Sequence, residues 1–124
     1  MRILVLIGTL YGFLSVALGA FGAHLLEGKL SENALSMWEK AVHYQMFHAL
    51  IIITTGLALI KYESSALVFA GWAFVLGVLL FSGSLYTYAT TGVRMLAMIT
   101  PFGGVLFLIG WILFGYAMMK VLSS

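Results

Sequence analysis

Four long apolar stretches, separated by short polar links, dominate the pattern of this chain. They cover about residues 3–23, 41–60, 66–90 and 100–119. Each is close to the ~20 residues that an α-helix needs to cross the hydrocarbon core of a bilayer. The pattern therefore predicts an all-α fold, an integral membrane four-helix bundle that forms a single transmembrane domain over residues 1–124.

The first stretch, which follows Arg2, has a competing interpretation as a cleaved signal peptide. The apolar region of a signal peptide is only ~7–15 residues long. This stretch is longer, and it carries aromatic residues and glycines at ordered spacing. We therefore expect a helix that stays in the mature protein.

Small residues recur along the stretches at helical spacing. Such residues let the backbones of two helices approach closely, and close packing drives the association of helices in lipid. In the first stretch they lie four, three, four and three positions apart on one face: Gly8, Gly12, Ser15, Gly19 and Gly22. Similar faces in the third and fourth stretches include Gly77, Gly103 and Gly110. We predict that all of these residues serve helix packing.

The link between the first two stretches predicts a short interfacial helix. Ser31 is a suitable N-cap, and Glu32 would lie where the helix dipole favours a negative charge. Residues 33–41 are amphipathic, and Trp38 beside Lys40 suits the headgroup layer. We expect this helix to lie near the membrane surface, before the second span begins.

Composition supports lipid as the solvent. The chain is 63% hydrophobic and 8% charged, against roughly 25% charged residues in an ordinary soluble domain. The net charge of +2 is small, so the bilayer is the expected partner and nucleic acid is not. The absence of cysteine excludes disulfides, thiolate catalysis and iron–sulfur clusters.

The membrane orientation does not follow from the basic residues. The positive-inside rule counts lysine and arginine in the loops on each side of the membrane. With four spans, Arg2, Lys61 and Lys120 lie on one side, whereas Lys29, Lys40 and Arg94 lie on the other. The two counts are equal.

The candidate chemistry gathers where the first stretch ends and the second begins. His24 ends the first stretch, and His48 lies one helical turn after Tyr44. An antiparallel hairpin would bring His24, Tyr44 and His48 into one layer of the membrane as an inward polar cluster. We expect a hydrogen-bonded knot without a cofactor. The alternatives are a haem, a metal ion or a quinone-like ligand at His24 and His48, or proton transfer.

Other observations narrow the chemistry further. Gln45, His48 and Thr55 share one face of the second stretch, so we expect this face to point at protein and away from lipid. Trp111 lies near the middle of its stretch, where it should pack on a neighbouring helix. All four glutamates lie in or beside the links, away from the mid-membrane depth at which a proton-coupled exporter needs an ionisable group. We predict neither a metal centre nor an enzyme.

Four ordered motifs resemble the signature of a small membrane family. They are Gly19-Ala20-Phe21-Gly22-Ala23-His24, Tyr44-x-x-x-His48-Ala49-Leu50, Phe81-Ser82-Gly83-Ser84-Leu85-Tyr86 and Thr100-Pro101-x-Gly103-Gly104. Along essentially its whole length the chain is similar to the YgdD/YwdK-like family, domain of unknown function 423 (UPF0382 type). The resemblance implies a four-span protein of the bacterial cytoplasmic membrane and gives no reaction. It directs attention to His24, Tyr44 and His48, which fall inside its motifs.

These features favour a non-enzymatic accessory, assembly or structural component of the membrane. Small-residue faces on three helices exceed what one hairpin needs, which suggests a homo-oligomer or a larger membrane complex. Two alternatives stay open. One is a ligand- or cofactor-binding protein that uses His24 and His48, and the other is a small transporter.

Overall fold

Four long helices joined by short links make up the protein. The computed structural model describes residues 1–123, except for the side chain of Ala23; Ser124 lies outside this range. A 3₁₀ turn, Arg94–Met98, precedes the last helix. The helices are α1 (Arg2–Leu26), α2 (Glu32–Lys61), α3 (Ser65–Thr91) and α4 (Thr100–Ser123). Each, with α4 taken together with the 3₁₀ turn, is long and apolar enough to cross a membrane, which confirms the predicted all-α four-helix fold.

The winding of α1 changes before the helix ends. Arg2–Val16 is α-helical, Ala17–Gly22 is π-helical, and Ala23–Leu26 is α-helical again. A π-helical turn is rare and is frequently found at functional sites. In this chain it covers most of the first of the four motifs, so the motif marks a local change in backbone geometry.

The short interfacial helix expected before the second span does not exist as a separate element. Ser31 caps α2 as predicted, since its Oγ accepts a hydrogen bond from the Ala34 amide at 3.1 Å. From Glu32 the helix then continues without interruption to Lys61. The reason is that no glycine or proline interrupts the chain before Gly56, and extending a helix costs much less than starting a new one. The amphipathic residues 33–41 are the first turns of α2.

The helices pack mainly in chain order. α2 lies between α1 and α3, and α3 lies between α2 and α4. Leu4, Ile52 and Phe74 are fully buried at the centre of the core. α2 and α4 meet through long aromatic side chains, which leaves more space between them than between the other neighbours.

The small residues lie at the contacts between neighbouring helices of the same chain. On α1, a methyl group added at Gly8 would come 2.6 Å from Ile53 Cγ1 of α2, and one at Gly22 would come 2.8 Å from the Trp38 ring. Between α3 and α4, similar close contacts involve Gly77, Gly103 and Gly110. Each of these small residues thus has a partner within the chain, so their presence does not by itself require a second protein.

Gly103 allows a direct test of this packing. A methyl group there would come 2.8 Å from the Cα of Phe81, and backbone cannot swing aside as a flexible side chain can. We expect Gly103→Ala to lower the free energy of unfolding in detergent by about 1–3 kcal/mol, as overpacking does. The measurement is the midpoint of an SDS or thermal unfolding curve.

Gly115→Ala in the same helix is the matched control. Nothing lies within 4 Å of a methyl group at Gly115, so its midpoint should be unchanged or slightly higher. Equal losses in the two variants would contradict the close approach of α3 and α4.

Candidate functional site

The buried polar side chains carry the candidate chemistry of the bundle. Every buried side-chain nitrogen or oxygen in residues 1–123 has a hydrogen-bond partner. Within that range the buried polar residues are Ser15, Gln45, His48, Thr55, Ser82 and Ser84. Ser15 and Thr55 bond to carbonyls of their own helix, whereas the other four bond to a second helix. The prediction that Gln45, His48 and Thr55 point at protein is confirmed.

Gln45 joins three helices with one amide group. Its Nε2 donates to the backbone carbonyl of Tyr11 in α1 at 2.9 Å. Its Oε1 accepts a hydrogen bond from the hydroxyl of Tyr86 in α3 at 2.7 Å. An amide that is satisfied at both ends fixes the relative heights of all three helices, because sliding any of them would leave a buried polar group without a partner.

Trp38 adds a second link, and it uses the π-helical segment. Its Nε1 donates to the carbonyl of Leu18 at 2.8 Å. Its ring packs edge-on against Tyr86, with the ring centroids 4.7 Å apart. Trp38 is therefore buried among the helices, and its N–H finds an acceptor inside the protein rather than in water. We call the bonds of Trp38, Gln45 and Tyr86 the polar lock.

His48 links α2 to α4. Its Nε2 lies 3.1 Å from Nε1 of Trp111, and its Nδ1 lies 2.7 Å from the carbonyl oxygen of Tyr44. An indole N–H can only donate. Nε2 must therefore accept, so the proton of the neutral imidazole is on Nδ1 and donates to Tyr44. The ring also stacks on Phe107 at a centroid distance of 3.7 Å.

An open groove of about 510 Å³ runs between α2 and α4 beside His48. We call it the aromatic groove, after the five rings in its wall: Tyr44, Phe47, Phe81, Phe107 and Trp111. Tyr44 is 43% exposed, and within residues 1–123 its hydroxyl has no hydrogen-bond partner. Because both nitrogens of His48 are occupied, this hydroxyl is the polar group that the groove offers to a ligand.

The structure brings together only part of the predicted cluster. Tyr44 and His48 stack with their centroids 6.3 Å apart. The His24 side chain is 82% exposed, and its Nδ1 lies 3.9 Å from an oxygen of Glu27. His48, by contrast, is 3% exposed.

The height of His24 along α2 explains this separation. Gly22, at the end of α1, packs on Trp38, and His48 lies ten residues further along α2. At a rise of 1.5 Å per residue this is about 15 Å. The expectation of a three-residue cluster is therefore corrected. The structure does not assemble the His24 and His48 pair that a haem or metal alternative requires, and within residues 1–123 no three metal-ligating side chains meet.

Four groups of the site are not predicted from the sequence: the side chains of Tyr86 and Phe107, and the carbonyls of Tyr11 and Leu18. For Gln45 the sequence gives one indication, the polar face that it shares with His48, and for Trp111 it predicts packing on a neighbouring helix. Neither indication identifies the residue on the other helix that makes the contact. The π-helical geometry around Leu18 cannot be detected from the spacing of residues in the sequence.

Comparison with known proteins supplies the family. The model of a family described as "Protein of unknown function (DUF423)" matches residues 18–104, most of the chain. The chain belongs to the DUF423 family. The resemblance inferred from four motifs is thereby confirmed. The match of this DUF423 protein contains two of the three long-range bonds of the polar lock, Trp38 to Leu18 and Tyr86 to Gln45, whereas Tyr11, which accepts from Gln45, precedes the matched residues.

Curated relatives carry the name UPF0382 membrane protein. One from Staphylococcus epidermidis is 49% identical over 97% of this chain and 98% of its own length. One from Staphylococcus haemolyticus is 51% identical over 91% and 92%, and YwdK of Bacillus subtilis is 41% identical over 98% and 100%. No solved structure matches the chain. With its four apolar helices, this DUF423 protein is a multi-pass membrane protein.

The polar lock predicts that Gln45 and Tyr86 depend on each other. We expect Gln45→Leu and Tyr86→Phe each to lower the free energy of unfolding by about 0.6–2 kcal/mol, as for hydrogen bonds between membrane helices. The double variant should lose less than the sum, because each single change already breaks the bond. Unfolding curves in SDS mixtures give all four values.

Tyr88→Phe is the control for this cycle. Tyr88 lies in the same helix, and its hydroxyl has no hydrogen-bond partner within residues 1–123, so it should show no coupling to Gln45→Leu. Strictly additive losses for Gln45 and Tyr86 would show that their hydrogen bond does not hold the helices.

Proposed function

We propose that this protein is a non-enzymatic accessory or structural component of the bacterial cytoplasmic membrane, which acts by assembling with another membrane protein. One observation carries the proposal: the polar side chains of the interior are occupied in holding helices together. Gln45, Tyr86 and Trp38 form the polar lock, and Trp111 holds His48. The bacterial origin of the named relatives supports the location.

Catalysis or proton-coupled transport would need polar groups that face a substrate or change partners. In this chain those polar groups form the hydrogen bonds between helices. A change of partner would break these bonds and loosen the bundle. A bundle whose interior polar groups are bonded in this way acts through its outer surface. The proposal therefore assigns function to a surface, and we assign it to the aromatic groove.

The aromatic groove suits the transmembrane helix of a partner protein. Its rings offer a broad contact area, and packing of this kind drives helix association in lipid. Along α4, Gly104 and Gly115 have no atom closer than 4.0 Å to an added methyl group. Gly104 lines the groove. Eleven positions, about three helical turns, separate the two glycines, so they share a face where a partner backbone can approach.

Photo-crosslinking in cells tests this assignment. A benzophenone amino acid at Leu108, which lines the groove and is exposed, should give a protein adduct that mass spectrometry can identify. The same probe at Phe13, which is equally exposed on α1, should give lipid adducts only. Gly104→Leu should fill the groove and remove the Leu108 adduct.

The opposite result is equally clear. If the probe at Leu108 finds only lipid, and the protein purified in mild detergent is a lone monomer without companions, the assembly role is contradicted.

A second candidate function is the binding of a quinone-like ligand in the aromatic groove. It is favoured by the Tyr44 hydroxyl, which has no partner within residues 1–123 and lies on a wall of aromatic rings. Ligand sites commonly combine apolar walls with a few well-placed polar groups. His24 takes no part in this proposed ligand site, in contrast to the ligand site expected from the sequence.

Solvent extraction of the purified protein tests this candidate. We expect a quinone in the extract of the wild type, and about five- to tenfold weaker retention in Tyr44→Phe, the effect of one hydrogen bond. Tyr88→Phe should retain the ligand unchanged. An extract without quinone would remove this candidate and leave the assembly proposal intact.

A further inference from the structure

A second cavity, separate from the aromatic groove, lies at the opposite end of α4. It measures about 720 Å³ and forms where α2 ends, α3 begins and α4 ends. Two lysines line it, Lys61 from the last turn of α2 and Lys120 from the last turn of α4. We call it the lysine cavity. None of the interactions described above uses it.

Among the described residues, 1–123, the two ammonium groups in the lysine cavity lack acidic partners. Within residues 1–123, neither lies within 4.0 Å of a carboxylate, since the one such pair is His24 with Glu27. Each lies near a tyrosine ring instead: Lys61 Nζ is 5.6 Å from the ring centroid of Tyr62, and Lys120 Nζ is 5.4 Å from that of Tyr116. These contacts keep two positive charges at the cavity.

The other groups that line the lysine cavity offset its positive charge only in part. Glu63 is the one acidic residue in the described lining, so two lysines and one glutamate leave a net charge of +1. Ser65 and Ala66, the first two residues of α3, also line the cavity. The first amides of a helix lack intrahelical acceptors, and the helix dipole makes this end positive. The start of α3 thus reinforces the two lysines.

Charge is divided unequally between the two ends of the bundle. The end that holds the lysine cavity has Arg2, Lys61 and Lys120 against Glu63, a net charge of +2. The opposite end is neutral, because its three basic and three acidic residues cancel: Lys29, Lys40, Arg94, Glu27, Glu32 and Glu39. The whole formal charge of the chain, with histidines neutral, lies at one membrane surface.

The depth of the cavity indicates the source of its ligand. Lys61 and Lys120 end two membrane-crossing helices, which places them at headgroup level. Tyr62 and Tyr116 are both exposed there, and tyrosine is enriched in this layer of a membrane. Basic pockets between helix ends are known binding sites for anionic lipid headgroups.

We propose that the lysine cavity binds the phosphate group of an anionic glycerophospholipid, with Lys61 and Lys120 as its cationic ligands. A phosphate oxygen accepts charge-assisted hydrogen bonds from an ammonium group. A lipid with a net negative charge is preferred, because the ammonium of a zwitterionic headgroup would compete with the lysines for its own phosphate.

Native mass spectrometry of the full chain in detergent tests the proposal. Phosphatidylglycerol should bind the wild type several-fold more tightly than phosphatidylcholine. The double variant Lys61→Gln/Lys120→Gln should lose roughly tenfold or more in phosphatidylglycerol affinity, the effect of two surface cations. Lys61→Arg/Lys120→Arg should keep most of the affinity, and Glu63→Gln should raise it.

The variant Lys29→Gln/Lys40→Gln is the matched control. It removes the same charge from the opposite end and should bind phosphatidylglycerol like the wild type. Equal losses in the two double variants, or equal affinities of the wild type for the two lipids, would overturn the proposal. If Lys61→Gln/Lys120→Gln fails to fold, the opposite shifts expected of Glu63→Gln and of Lys120→Gln alone provide the same decision.

A competition arm separates a lipid from a soluble source of phosphate. Millimolar inorganic phosphate should leave bound phosphatidylglycerol in place, because acyl chains in contact with the helices add to lipid affinity. Full displacement by inorganic phosphate would overturn the lipid as the source of the phosphate group.

Discussion

The amide of Gln45 is the contact on which the rest of the bundle depends. Inside a bilayer no water is available to replace a lost hydrogen bond, so a buried polar group must find its partners within the protein. Gln45 finds them in two other helices, Tyr11 in α1 and Tyr86 in α3. Glycine contacts bring neighbouring helices close in pairs, whereas the Gln45 amide bonds to two helices at once. The amide selects one height, and the remaining contacts follow from it.

The four-helix architecture could be predicted from the sequence much better than the contacts between the helices could. Apolar length and small-residue spacing are properties of single helices, and they indicated four helices with packing faces. They also indicated that Gln45 and His48 point inward. What they could not indicate is the height at which one helix meets the next. That height depends on where the turns end: the end of α1 packs at Trp38, about 15 Å along α2 from His48.

Hydrogen-bond partners decide the burial of Trp38 and of His24. The sequence predicts His24 inside the bundle, because an antiparallel hairpin would bring the ends of the first two stretches together, and it predicts Trp38 among polar neighbours near the membrane surface. In both cases the partner decided the outcome. The carbonyl of Leu18, in a π-helical turn, accepts from the Trp38 indole, whereas His24 lies beside Glu27 in the exposed turn. The spacing of residues within one helix contains no information on which groups of another segment will be their hydrogen-bond partners.

The position of α4 gives the bundle a stiff side and a compliant side. Towards α3, α4 is held by close contacts at Gly77, Gly103 and Gly110. Towards α2, it is held by stacked rings and one hydrogen bond, from Trp111 to His48 at 3.1 Å. An outward tilt of α4 would therefore pivot on the three glycines and break this bond first. The seam between α2 and α4 is the place where the bundle can open without losing its polar lock.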